Sequence, residues 1–174
     1  MENRLEQPNA GIKKELHDIY VSVYKSSLPI TKKERILNSI FGYENWSWRV
    51  VGISKKAINV FKNNEFKYKS GVFQRDHYFQ ARYITMRKML ENFMKIDEWW
   101  NWYWENDKTL LITKDEHSKK NYNLDNDIIE IDWSLGYFVS NPVAGFYYTQ
   151  KREGKFLREL IKKNKLKILK KILS

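Results

Sequence analysis

Three patterns in this 174-residue sequence predict an α+β fold, mainly helical around a small antiparallel hairpin. Apolar residues recur at helical spacing over long stretches near both ends. Short alternating runs, punctuated by Ser, Gly, Asn and Asp, interrupt them. Hydrophobic residues make up 42% of the chain and aromatics 16%, enough for a core without disulfides. The length suits one α+β domain over residues 1–150, followed by a basic amphipathic helix over 151–174.

The elements follow in order. Ile12, Leu16, Ile19, Tyr20 and Val23 predict a helix over 11–25. After Pro29, Thr31 and Glu34 form a capping-box pattern for a helix ending near Gly42. Trp46 to Val51 alternates as a strand, and Ser54 caps a helix over 55–63 that buries Ala57, Ile58 and Phe61. Residues 66–69 and 72–75 read as two arms of a hairpin around Ser70-Gly71. Residues 84–104 are helical in pattern, and their tryptophans, Trp99, Trp100, Trp102 and Trp104, are expected to be partly core. Leu110-Leu111-Ile112 is a short apolar stretch. Thr113 then caps a new helix, with Glu116 at the capping-box position. Residues 128–131, 135–139 and 146–148 are strand candidates, and from Gly154 onward the spacing is helical again.

Charge narrows the partners. The net charge is +11, which points to an acidic partner. From Lys151 to Ser174, ten Lys or Arg face only Glu153 and Glu159, so that segment carries +8 and the body +3. Arg158, Lys162 and Lys163 in this segment are candidates for phosphate contacts; the same segment also reads as a solvated helix docked by its apolar face. There is no cysteine, which rules out thiolate zinc sites and cysteine nucleophiles and fits a cytoplasmic protein. No apolar run approaches the roughly 20 residues that cross a bilayer, so no membrane partner is expected.

Two of the three histidines sit beside residues that bind metals. Asp76-His77 ends the second hairpin arm, and His117 and Asn121 lie four apart. On a helix that spacing points both side chains the same way. Hydrolysis of a phosphodiester needs a base for water and a cation for the developing charge. A neutral histidine suits the first near pH 7. An Asp, His and Asn set admits Mg²⁺, Mn²⁺, Ni²⁺ or Zn²⁺ as the second. Arg75 and Arg82 flank the histidine and could hold phosphate; a surface ion pair is the alternative for each. His17 is assigned no function.

Residues 72–121 resemble the HNH, or ββα-metal, endonuclease motif. The resemblance implies Asp76 as a metal ligand, His77 as general base, and His117 and Asn121 as helix ligands. It also implies a middle Asn that orients the base, about nine residues before the helix histidine. Lys108 occupies that place; Asn106 and Asp107 are close, so a small shift could give Asn106 the role, or the role is lost. The long separation of His77 from His117 implies that the Trp-rich helix is an insertion. The expectation is a metal-dependent endonuclease acting on DNA or RNA, with a homodimer allowed, and Arg75, Arg82, Lys108, Arg158, Lys162 and Lys163 contacting the strand. The alternative is a basic nucleic-acid-binding or inhibitor protein without catalysis.

Overall fold

In the computed structural model the chain is described over residues 5–42, 44–120, 122–143 and 145–173, with side chains as far as Asn164. It is an α+β fold, as the sequence predicts. The elements are α1 (Ala10–Lys25), α2 (Ile30–Phe41), β1 (Arg49–Ser54), α3 (Lys55–Asn63), β2 (Phe73–His77), α4 (Arg82–Glu91), α5 (Ile96–Asn106), β3 (Lys108–Thr113), α6 (Lys114–Lys119), the single turn α7 (Leu124–Asp127), β4 (Ile128–Glu130), the short pair β5 (Ser140–Asn141) and β6 (Gly145–Phe146), and α8 (Lys155–Leu173). No helix among the described residues is long and apolar enough to cross a membrane.

Four strands form a mixed sheet in the order β2-β3-β1-β4. β1 and β3 run parallel, while β2 is antiparallel to β3 and β4 to β1. Gly52 sits where sheet neighbours crowd the backbone: a Cβ there would lie 2.5 Å from Ile128 and 2.9 Å from Leu110.

Two apolar clusters hold the fold. The helical one gathers Tyr20, Leu37, Phe41, Met86 and Met89 with Trp99, Trp100, Tyr103 and Trp104. Phe41 stacks on Tyr103 at 3.7 Å between ring centres. Three of the four tryptophans singled out in the sequence are therefore core. The other cluster joins the sheet to α3, with Val50, Ile53, Phe61, Phe73, Leu111, Phe138 and Phe146, and Leu157 seats the start of α8 in it.

Local differences from the expected elements have local causes. α2 starts one residue before Thr31, and Glu34 is drawn away from the cap to accept from Arg87 Nε at 2.5 Å. β1 begins at Arg49 rather than Trp46, because Trp48 is left-handed (φ 56°) with its N–H donated to the Asp107 carboxylate at 2.6 Å. Residues 66–69 form no hairpin arm: Glu65 and Phe66 are left-handed, and the Phe66 N–H donates to Phe61 O at 2.7 Å. The antiparallel partner of β2 is β3, from 30 residues further on. The helix expected over 84–104 breaks at Asn92, where the Tyr20 hydroxyl accepts from Met94 N and donates to Met89 O, both at 2.9 Å. The strand expected over 135–139 gives way to a 3₁₀ turn at Trp133–Leu135, followed by left-handed Gly136 and Phe138.

Candidate functional site

β2, β3 and α6 form an antiparallel strand pair running directly into a helix, with α4 and α5 inserted between the strands. Thr113 sets the junction. Its hydroxyl accepts from Glu116 N at 3.2 Å, while Glu116 Oε2 accepts from Thr113 N at 2.8 Å. Glu116 Oε2 also takes the Ser54 hydroxyl at 2.8 Å, which ties the cap of α6 to the cap of α3. This anchors α6 to the ends of β3 and β1.

Strand alternation then divides the side chains of β2. Gln74 and Asp76 face α6. Asp76 Oδ1 lies 3.6 Å from His117 Nε2, and Gln74 Nε2 lies 3.3 Å from the same nitrogen. Asp76 Oδ2 accepts from the Tyr122 hydroxyl at 2.7 Å and from Lys120 Nζ at 3.1 Å. Burial pushes the Asp76 carboxyl up, but the bonds from Tyr122 and Lys120 and the charges of Lys120 and His117 outweigh it, leaving its pKa below the ordinary carboxylate value. Burial and the Asp76 charge push the Tyr122 hydroxyl well up, so it remains a donor.

The pair meets the first requirement of a shared cation. Two atoms bonded to one divalent ion at roughly 2.1 Å each lie about 3 to 4 Å apart. Asp76 and His117 are that close, and the amide of Gln74 stands beside them. Among the described residues there is no group of three or more His, Asp or Glu that could hold an ion, so further ligands would be amides or water. Asn121, the expected ligand, lies outside the described residues. α6, which carries His117, ends at Lys119, and Lys120 is left-handed (φ 49°).

His77 is on the other face. Its ring packs on Trp48 at 4.8 Å between centres, and its Nε2 is buried without a hydrogen-bond partner. Burial lowers its pKa to about 4; Asp107 and Asp76 oppose the shift, and Arg82 and Arg75 add to it. The ring is neutral at pH 7, as a base must be, but this nitrogen does not face the Asp76–His117 pair. Adjacent strand residues point to opposite faces, so the imidazole expected as the base lies across β2 from the pair, with its Nε2 buried.

Asn106 ends α5 half-buried. Its amide donates to Trp102 O at 2.8 Å and accepts from Gln80 Nε2 at 3.3 Å, so it braces the loop that follows β2. Arg75 donates to Trp48 O at 3.2 Å and to Ser140 Oγ at 2.9 Å. Arg82 is buried, donating to Ser47 Oγ at 3.2 Å beside Asp107 at 3.6 Å. Lys108 pairs with Glu105 at 2.5 Å. Arg158 lies over the Phe66 ring at 4.6 Å, and Lys162 and Lys163 are exposed. The candidate strand contacts are thus scattered: Arg75 and Arg82 flank Trp48, and the α8 cations stand elsewhere. Gln74, Lys120 and Tyr122 were not singled out in the sequence. Gln74 was within reach, since it sits two positions before Asp76 on the same strand face.

No family model, no curated protein and no solved structure matches this chain.

Proposed function

We propose that this protein is a metal-dependent endonuclease of the HNH type that hydrolyses phosphodiester bonds of DNA. The observation that carries the reading is the 3.6 Å approach of Asp76 Oδ1 to His117 Nε2 across a strand–strand–helix unit. A divalent ion held by these two, with Gln74 or Asn121 completing the set, would neutralise charge on the phosphoryl oxygens and leaving group. Tyr122 and Lys120 keep Asp76 ionised for that task. Lys120, exposed at the rim, adds a positive charge where the strand would approach. The cations of α8 supply affinity that falls with salt.

The test is plasmid nicking by purified protein with Mg²⁺, Mn²⁺, Ni²⁺ or Zn²⁺. Asp76→Asn and His117→Ala should each lower the rate a hundredfold or more. Nicking by Asp76→Asn at the wild-type rate rejects the proposal. A second reading, a nucleic-acid-binding protein without catalysis, is favoured by the burial of His77 Nε2. It predicts salt-sensitive DNA binding with no metal-stimulated nicking.

A further inference from the structure

Trp48 sits at the centre of a second arrangement, on the opposite face of β2 from Asp76. Its left-handed backbone is fixed on both sides. Asp107 takes its N–H at 2.6 Å, and its carbonyl accepts from Thr109 Oγ1 at 3.0 Å and from Arg75. Such conformations are strained and persist where surrounding bonds enforce them. The indole lies under two guanidiniums, Arg82 at 4.4 Å and Arg75 at 5.1 Å.

The charges here do not balance. Arg49 and Arg82 are 3% and 6% exposed, and among the described residues the carboxylate that pairs with Arg82 is Asp107. Asp107 Oδ2 already takes the Tyr103 hydroxyl at 2.5 Å as well as the Trp48 N–H. Arg82 Nε and Asp107 Oδ1 face one another at 3.6 Å, and neither has a hydrogen-bond partner. Arg49 donates to Trp104 O and lies on the Trp104 ring, with two of its nitrogens unpartnered. Buried cations in excess of their counter-charges favour an anion at the nearest opening.

An opening is present. A cleft of about 310 Å³ is lined by Trp48 and Arg82 together with Arg35, Asn38 and Tyr83. Arg35 and Asn38 are exposed, and Tyr83 is 57% exposed. The one carboxylate of the lining, Glu34, is paired with Arg87. The volume is at the small end of ligand clefts, the size of a nucleotide rather than a duplex. An exposed aromatic ring beside guanidiniums is the combination that binds unpaired bases and their phosphates.

We infer that this cleft holds one unpaired nucleotide of a nucleic-acid strand, its phosphate on Arg35 and Arg82 and its base on Tyr83. The inference rests on the nucleic-acid reading above and adds that part of the bound strand is single-stranded, on the face of β2 away from the metal pair.

The experiment is an NMR titration of ¹⁵N-labelled Asp76→Asn full-length protein with 5′-phosphorylated tetrathymidylate. Shifts should centre on the Trp48 indole and Arg82 Nε–H. Arg35→Glu, an exposed change, should weaken binding tenfold or more. Tyr83→Ala should weaken the tetranucleotide and leave inorganic phosphate unaffected. A blunt duplex should bind this cleft more weakly than the single strand. Absent shifts at Trp48 and Arg82, or unchanged affinity in Arg35→Glu, overturn the inference; equal duplex affinity overturns its single-stranded part. Intact nicking by wild type without shifts here defeats the cleft alone, whereas shifts here with undiminished nicking by Asp76→Asn defeat the hydrolytic assignment alone.

Discussion

Acidification should destabilise this fold through His77, and the size of the effect can be worked out. The unfolded imidazole titrates near 6.5 and the folded one near 4, because burial disfavours the charged ring. Above pH 6.5 both states are neutral and the group contributes no pH dependence. As the pH falls below 6.5 the unfolded ring takes a proton that the folded ring refuses, so stability declines; the decline levels off below about 4. At 1.36 kcal/mol per pH unit the full interval corresponds to about 3 kcal/mol. Solvent screening around a half-buried ring reduces this to about 2 kcal/mol. The assay is urea unfolding of wild type and His77→Gln at pH 7, 6, 5 and 4.5. The loss between pH 7 and 4.5 should be larger in wild type by about 1 to 2 kcal/mol. Parallel curves would refute the burial of His77 and return it to solvent, where it could serve as a base.

Other outcomes follow from single contacts. Trp99→Ala, at a fully buried position, should cost about 3–5 kcal/mol in denaturant unfolding, since the cavity opens between α1, α2 and α5. Glu116→Ala removes three hydrogen bonds to Thr113 and Ser54 and should cost about 2–3 kcal/mol, read as a lower unfolding midpoint with unchanged slope. Tyr122→Phe removes a bond that lowers the Asp76 pKa. The stability held by the ionised Asp76 would then be lost at higher pH as acid is added, and a carboxyl NMR titration of Asp76 should move upward.

How much of this was legible in the sequence depends on the range of the interactions involved. Ser54 and the Thr113–Glu116 box were readable because a cap is satisfied within three residues. The strand–strand–helix unit was readable in its ends but not in its pairing. The partner of β2 is β3, and the pull that breaks the 66–69 arm is the Phe61 carbonyl at the end of α3. The gap between α4 and α5 was invisible because its cause, the Tyr20 hydroxyl, comes from α1. At the site, Asp76 and His117 were found by residue type. Lys120 and Tyr122 were missed because they reach Asp76 only through a left-handed turn after α6. The orientation of His77 was available from strand alternation, which sends it away from Asp76.

The central claim, that Asp76 and His117 jointly hold one divalent ion, is tested most directly by calorimetric Mn²⁺ or Ni²⁺ binding to wild type, Asp76→Asn, His117→Ala and the double variant. Each single change should weaken binding at least tenfold, with the double variant little worse than either, as for two ligands of one ion. Wild-type affinity in both single variants, or losses that simply add, would contradict the account.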